Sequence, residues 1–414
     1  MTLTHDAGDL IADRYQLDSF IGEGGISKAW QGTDTETGRR VVVKHPNYDS
    51  ENSAAVVKES IEREIEILEA IQDAGGHPNL MGLVERTTTR GHPAMVVEHA
   101  DGENLYSEVK RRNGFTNAED VRQVGIALCE AMSFLHENEI IYRDLKPDNV
   151  MFQPDGTPVL IDFNTAKGFV PDAAHDGDTR SGTVIPNPTY KPPELNNDPD
   201  LVGYRQGPWS DVYSIGKLLL FMFAASAPRG DGVDPREFPG SRSVPGYLAE
   251  SIERATQAHK DDRYRNATVF ARVLEAESSV PPAVASITHL GRSESYDIYP
   301  GDTIGRDSAD GPRPSVAVED PDSYISAVQL QFDRDGEEWL LRDRSLNGTW
   351  VNSGDGWRRI LSQRGRERLQ ERSEQSAQDL EELPAETTLE EGDRIALVHP
   401  NYDVWLRFDG EGTP

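Results

Sequence analysis

The chain has 414 residues, enough for two or three domains that each bury a core of their own. Acidic residues outnumber basic ones by 72 to 42, and the formal net charge is −30 at pH 7. Because nucleic acids and most membrane surfaces are also negative, this charge argues against both as partners, and we expect neither.

Lysine is scarce, with nine lysines against 33 arginines. An acid excess with few lysines resembles the composition of proteins from microbes with high internal salt, where concentrated salt screens the self-repulsion of an acidic surface. We therefore expect a halophilic source. An ordinary acidic cytosolic protein is the alternative.

Three features of the sequence bear on its compartment. Cys129 is the single cysteine, which excludes an intrachain disulfide and any cysteine-based metal cluster. Residues 1–13 contain no basic region followed by an apolar core, so we expect no signal peptide. The longest apolar run, residues 215–227, is too short to span a bilayer. These features predict a cytoplasmic protein.

The first predicted element is a strand, a glycine-rich turn and a second strand over residues 15–30. Gly22 and Gly24 let the backbone approach phosphate groups and direct N–H groups toward them. A short β-branched run follows at residues 41–43 and ends in Lys44, a cation placed one strand further along.

A helix is predicted over residues 58–72, where isoleucine and leucine recur on one face beside Glu64. An apolar strand comes next at residues 95–100 and runs into Asp101 and Gly102.

The most informative stretch lies at residues 141–150, where Asp144, Lys146 and Asn149 have the spacing D-x-K-x-x-N. A short apolar strand follows and ends in Asp162. Phosphoryl transfer requires a carboxylate to accept a proton, a cation to steady the phosphoryl group and oxygen ligands for a metal. These four residues are of the required chemical types.

Together these motifs resemble those of protein kinases. The resemblance covers residues 11–277 and implies an α+β, two-lobed kinase fold. It implies that Asp144 is the catalytic base, that Lys146 stabilises the γ-phosphate and that Lys44 and Glu64 form the positioning ion pair. It places Asn149 and Asp162 as ligands of Mg²⁺. The residues it places around ATP are Ile21, Gly22, Gly24, Ala29, Val42, Lys44, Glu98, Ala100, Asn149 and Asp162.

The D-x-K spacing favours Ser/Thr protein substrates, so the resemblance implies a serine/threonine protein kinase. Three positions depart from the family pattern: Ser27 replaces the third glycine of the loop, Asn164 replaces the glycine of Asp-Phe-Gly, and Asn187 stands where a threonine is usual. These departures support an alternative, a pseudokinase scaffold that works mainly by binding phosphopeptides.

Residues 167–189 are polar and resemble an activation segment. Arg143 precedes Asp144, as in kinases that are controlled by phosphorylation of this segment. Thr179, Ser181 and Thr183 are the candidate phosphorylation sites.

Beyond a linker at residues 278–286, strand-like runs separated by turns take over. Gly305-Arg306, the spacing from Ser326 to Gln329, and Asn347-Gly348 resemble the motifs of FHA domains. The resemblance covers residues 287–410 and implies an all-β sandwich that binds phosphothreonine peptides.

In that family Arg306 and Ser326 would bind the phosphate and Asn347 would hold the peptide backbone, while Gln329 replaces a structural histidine. The implied partner is a phosphothreonine-containing protein, or the chain's own Thr179 or Thr183 in another copy. A charged insertion at about 356–386 interrupts the pattern. We expect it to be a solvated loop with an exposed helix, because its mixed charge argues against a core element.

Overall fold

The computed structural model describes residues 3–138, 140–168, 189–195, 206–238, 243–281, 285–306, 314–320, 322–336, 338–371, 380, 382–402 and 404–410. The chain divides into two compact units. The first comprises residues 1–169, 185–196 and 210–259, and the second comprises residues 170–184, 197–209 and 260–414.

The first unit begins with a six-stranded antiparallel sheet. In spatial order β1-β2-β3-β4-β6-β5 it contains β1 (Leu10–Ile11), β2 (Tyr15–Glu23), β3 (Ser27–Asp34), β4 (Arg40–Pro46), β6 (His92–Glu98) and β5 (Leu83–Thr89). A small apolar cluster on this sheet includes Tyr15, Trp30 and Val43. The strand–turn–strand prediction for residues 15–30 is confirmed as β2 and β3.

Helix α1 (Ala54–Asp73) is longer than predicted because Ser53 caps it, accepting a hydrogen bond from the Val56 N–H. Its apolar face buries Ile61, Ile65 and Leu68, and Glu64 is buried on the same helix. A carboxylate in this position requires a partner, which the neighbouring strand supplies as described below.

The remainder of the first unit is mostly helical. Its helices are α2 (Leu105–Arg112), α3 (Ala118–Glu137), α4 (Pro208–Ala224, its first two residues assigned to the second unit) and α5 (Gly246–Ala255). Two short antiparallel pairs lie between α3 and α4 in the chain. They join β7 (Ile140–Ile141) to β10 (Lys167–Gly168), and β8 (Val150–Phe152) to β9 (Pro158–Leu160).

The second unit contains α6 (Ala267–Glu275) and two sheets. One sheet has the order β12 (Glu294–Ile298), β11 (Ala285–His289), β21 (Trp405–Gly410), β20 (Arg394–Ala396), β17 (Thr349–Asn352), β18 (Arg358–Ile360). The other has the order β14 (Val316–Val318), β13 (Thr303–Arg306), β15 (Leu330–Asp335), β16 (Glu338–Asp343), β19 (Glu386–Leu389). One core of aliphatic and aromatic residues draws on both sheets, as in a β-sandwich.

The charged insertion differs from the expectation of a solvated excursion. Its helix α7 (Gln363–Glu371) carries Leu369, which packs with Leu361, Leu380 and Leu383 in a small apolar cluster. Leu361 and Leu380 are fully buried. The expected helix is present, but the expectation that the segment is solvated throughout was wrong. That expectation weighed the many charges and treated the sparse leucines as isolated, whereas a few well-placed leucines suffice to attach a helix.

Helices long and apolar enough to cross a bilayer are absent from the described part of the chain.

Candidate functional site

Lys44 is the centre of the first group of candidate residues. Pairing of β3 with β4 places it opposite Ala29, and its Nζ lies 2.8 Å from Glu64 Oε1 and 3.8 Å from Asp162 Oδ1. Burial opposes the charged ammonium, but attraction by Glu64 and Asp162 outweighs that effect and raises the pKa of Lys44. Lys44 is therefore a fixed cation that joins the sheet, α1 and the segment after β9.

The catalytic-loop motif brings three predicted residues together. Asp144 Oδ2 accepts hydrogen bonds from Lys146 Nζ at 2.5 Å and from Asn149 Nδ2 at 3.2 Å. Asn149 Nδ2 also donates to the backbone carbonyl of Asp144 at 2.9 Å. Burial raises the pKa of Asp144, although Lys146 opposes the shift. The result is a positioned carboxylate that is a better proton acceptor than an exposed aspartate.

The hairpin of β8 and β9 brings Asn149 and Asp162 near one another. Val150 pairs with Leu160, so Asn149 at one end of the hairpin lies opposite the residues that follow β9, and the Ile161 N–H donates to the Asn149 carbonyl at 3.0 Å. An amide oxygen and a carboxylate are hard oxygen ligands of the kind that Mg²⁺ prefers. The donor set therefore fits the predicted metal.

Asp162 and Asn164 have different backbone requirements. Asp162 has φ +145°, a conformation that side chains rarely adopt, whereas Asn164 is not among the residues with positive φ. The missing glycine at position 164 therefore adds no backbone strain. The Asn164 N–H donates to Asp162 Oδ1 at 3.3 Å.

Asp211, at the start of α4, holds the catalytic loop from below. Its carboxylate accepts the backbone N–H groups of Tyr142 and Arg143, at 3.1 and 2.9 Å, and contacts His136 Nε2 at 2.8 Å. The rings of Tyr142 and Phe163 also meet edge to face, with their centroids 5.5 Å apart. These contacts fix the backbone that leads into Asp144.

The glycine-rich turn is attached through two asparagines that sequence reasoning missed. Asn47 Nδ2 donates to the Gly24 carbonyl at 2.7 Å, and Asn52 Nδ2 donates to the Gly25 carbonyl at 2.8 Å. Gly22, Gly24 and the exposed side chain of Ile21 lie on this β2–β3 hairpin. The asparagines give no sequence signal, because their partners are backbone atoms some 25 residues earlier.

The predicted adenine-binding residues lie around the end of β6. Val42 on β4 pairs with Val97, and Glu98 ends β6 just before Ala100. A Cβ on Gly102 would lie 2.1 Å from the Phe152 carbonyl oxygen, so only glycine lets this connection pass β8 so closely. The nucleotide-binding assignments of these residues remain predictions.

Arg143 and the activation segment bear on regulation. Arg143 has φ +73°, and its Nε is buried without a hydrogen-bond partner among the described residues. Burial lowers the pKa of its guanidinium. The candidate phosphorylation sites Thr179, Ser181 and Thr183 lie outside the described residues.

In the second unit, the predicted phosphopeptide residues come together on neighbouring loops. The Arg306 N–H donates to the Ser326 carbonyl at 2.9 Å, and Arg306 Nε donates to the Ile325 carbonyl at 3.2 Å. Asn347 Nδ2 donates to the Tyr324 carbonyl at 3.0 Å. Arg306 and Asn347 thus both reach the loop that carries Ser326.

Gln329 lies beneath these loops and is fully buried. Its Oε1 accepts the Ser326 N–H at 3.0 Å, while its Nε2 donates to the Gly348 carbonyl at 2.9 Å and to Thr349 Oγ1 at 3.1 Å. Gln329 thus has a structural position, as does the histidine that it replaces in the FHA resemblance. The amide joins two loops because it offers an acceptor and a donor at opposite ends of one planar group.

Comparison with known proteins agrees with this geometry. Residues 15–240, more than half of the chain, match the model of the protein kinase domain. The chain belongs to the protein kinase family. Residues 303–374 match the model of the FHA domain, so the kinase region is followed by an FHA region, in line with the predicted order of folds.

Several relatives are serine/threonine protein kinases by name. Serine/threonine-protein kinase PknA of Nostoc sp. is 28% identical over 287 residues, covering 66% of this chain and 49% of its own. Serine/threonine-protein kinase C of Synechocystis sp. is 26% identical over 284 residues, covering 66% and 51%. Pkn2 of Myxococcus xanthus is 29% identical over 276 residues, covering 66% and 31%. This chain thus spans about half the length, or less, of these relatives.

Proposed function

We propose that this protein is an ATP-dependent serine/threonine protein kinase whose FHA region binds phosphothreonine peptides in signalling. The observation that carries the enzyme proposal is the joint placement of Lys44, Glu64 and Asp162 on one side and of Asp144 with Lys146 and Asn149 on the other. Family membership supports the same activity, and the protein kinase family implies ATP as phosphoryl donor.

In this proposal each polar group has one role. Asp144 accepts the proton of a substrate Ser or Thr hydroxyl as that oxygen bonds to the γ-phosphorus and the bond to ADP breaks. Lys146 stabilises the charge on the transferring group, and Lys44, held by Glu64, positions the α- and β-phosphates. Asn149 and Asp162 would hold Mg²⁺, which when bound neutralises phosphate charge.

The enzyme proposal is tested by ATP-dependent phosphate incorporation into the protein itself and into a generic Ser/Thr substrate. Asp144→Asn and Lys44→Ala should each lower the rate by at least about 100-fold, since proton transfer and phosphate positioning typically contribute factors of this size. Asp155→Asn, in the exposed turn of the β8–β9 hairpin, and Lys58→Ala, exposed on α1, are the matched controls.

A wild-type protein that binds ATP with Mg²⁺ but transfers no phosphate over a range of salt would contradict the enzyme proposal. That result would favour the pseudokinase scaffold, which the departures at Ser27, Asn164 and Asn187 support. The described geometry weakens this alternative at Asn164, where glycine-like backbone freedom is not required.

The phosphopeptide proposal rests on the convergence of Arg306, Ser326 and Asn347. A guanidinium and a hydroxyl suit a phosphate dianion, because charge-assisted hydrogen bonds are the strong ones. Arg306→Ala should therefore abolish binding of a phosphothreonine peptide to the full chain. Arg394→Ala removes the same charge on the exposed surface of β20 and should leave binding unchanged. Unchanged affinity in the Arg306 variant would remove this residue from the site.

A finer proposal concerns the partner. Phosphorylated Thr179 or Thr183 of another copy would be bound by the FHA region, so that phosphorylation causes self-association. Light scattering of the protein, before and after phosphatase treatment, tests this idea. A monomer in both states would rule it out.

The composition supports a last proposal, that the protein acts in a salt-rich cytoplasm and binds neither nucleic acid nor membranes. The dependence of the unfolding temperature on KCl concentration tests the salt-rich cytoplasm.

A further inference from the structure

The insertion carries an unusual concentration of positive charge. Residues 358–372 contain six arginines and two glutamates, a net charge of +4 in a chain of net −30. The arginine cluster is defined here by its described members: Arg358, Arg359, Arg364, Arg366 and Arg368. No ion pair compensates Arg364, Arg366 or Arg368 within the described residues, although the protein is rich in carboxylates.

Strand pairing brings this cluster to the predicted phosphopeptide site. β17 begins directly after Asn347-Gly348 and pairs with β18, with Trp350 opposite Arg359. Arg359 Nη2 donates to the Asn347 carbonyl at 2.6 Å. A Cβ on Gly348 would lie 2.7 Å from Arg359 Nε, and Gly348 has φ +84°, so glycine is needed for both space and conformation.

The start of α7 is fixed to the same loop by hydrogen bonds. The Ser362 N–H donates to Asp343 Oδ2 at 2.8 Å, and Ser362 Oγ donates to the Ser345 carbonyl at 2.6 Å. Ser362 Oγ also accepts the Gly365 N–H at 3.0 Å. With the leucine cluster described above, these contacts hold the helix in one position against the Asn347 loop.

Arg368 links α7 directly to the side chain of Asn347. Its Nη1 donates to Asn347 Oδ1 at 3.3 Å, and its other N–H groups have no partner among the described residues. Arg364 lies one helical turn earlier on the same face of α7 and makes no hydrogen bond within the described residues. Two guanidinium groups with unused donors therefore lie on one face of α7, and one of them contacts the residue expected to hold the peptide.

We propose that Arg364 and Arg368 form a second anion-binding site beside the phosphothreonine site, selecting phosphothreonine peptides that carry a further anionic group near the phosphorylated residue. The inference rests on the proposed phosphopeptide function. A guanidinium binds carboxylate or phosphate through paired N–H donors, so either an acidic side chain or a second phosphate would satisfy the site.

The chain's own sequence provides a suitable pair of ligands. Thr179 follows Asp176 and Asp178, so a labelled peptide of residues 173–184 phosphorylated at Thr179 is an acidic ligand. The matched peptide carries Asp176→Asn and Asp178→Asn. A third peptide, with both Asn substitutions and a second phosphate on Ser181, separates a phosphate from a carboxylate as the recognised group.

Affinities for the full-length protein are measured by fluorescence anisotropy over a range of KCl concentrations at which the protein is folded, and the preference should be largest at the lowest of them, where screening is weakest. We expect the acidic peptide to bind about fivefold more tightly than its Asn counterpart. The double variant Arg364→Gln, Arg368→Gln should lose this preference yet still bind phosphothreonine. Arg368→Lys should retain part of it, and Arg394→Gln, the charge-matched control, all of it.

Equal affinity of the wild type for the first two peptides, or a preference that survives in the double variant, would overturn the second site alone. Absence of binding to every phosphopeptide, or binding that Arg306→Ala does not affect, would instead remove the phosphothreonine site and the second site with it.

Discussion

Asp343 is a single residue on which the loops of the FHA region depend. Its buried carboxylate accepts hydrogen bonds from Ser345 and Thr349 hydroxyls and from the Ser362 N–H. Burial outweighs these bonds and raises the pKa of Asp343 to about 6 from 3.8. Because the pKa is higher in the folded state, the group stabilises the fold most fully below about pH 4, and that contribution is lost as pH rises through 6.

We therefore predict that Asp343→Asn makes the stability of the second unit less dependent on pH. Asn stays neutral, and the two hydroxyls can rotate to accept from its amide. Between pH 4 and pH 7 the wild type should lose about 2 kcal/mol relative to the variant. Urea unfolding of both proteins at each pH measures the difference. A constant difference across this range would contradict the raised pKa.

Gln329 offers a second test at the scale of one residue. Gln329→Leu fills a similar volume but leaves the Ser326 N–H and the Gly348 carbonyl without their partner. Unsatisfied buried groups cost about 1–3 kcal/mol each, so the unfolding temperature of the second unit should fall by several degrees. Phosphopeptide affinity should fall as well. Gln329→His restores the family residue and should be better tolerated than Leu.

Among the elements, the β2–β3 hairpin is expected to bind phosphates, and Asn47 holds its turn. Asn47→Ala removes the hydrogen bond to the Gly24 carbonyl, so the turn should be less well placed for ATP. We expect KM for ATP to rise about fivefold, as the loss of about 1 kcal/mol would produce, with a smaller change in kcat. Asn401→Ala, on the exposed surface of the second unit, is the control. An unchanged KM would show that the turn does not need this support.

The elements also show what could be predicted from sequence. Strands around Gly22 and Lys44 and the D-x-K-x-x-N loop were predictable because their geometry is local and their residue types follow from phosphoryl-transfer chemistry. The packing of Leu361, Leu369 and Leu380, and the roles of Asn47 and Asn52, were not. Those depend on contacts between distant segments, and such contacts leave no periodic pattern in the chain.

At the scale of the whole molecule, net charge is the dominant property. Self-repulsion among 72 acidic residues destabilises the folded chain at low ionic strength, and salt reduces it. We predict that unfolding temperature and kinase activity both rise from about 0.05 M to molar KCl. Thermal unfolding and phosphate incorporation over this range provide the measurement. A steady decline with salt would oppose the salt-rich origin.

The single amide beneath the FHA loops has a wider consequence. The side-chain amide of Gln329 joins the loop that carries Ser326 to the turn at Gly348, so these two segments cannot shift independently. Substitutions in either segment would then disturb the other, so ligand preference has little scope to change through them. Helix α7 lies beside these segments and is not among the hydrogen-bond partners of Gln329. Substitutions on α7 can therefore change which ligands the region prefers without disturbing that connection.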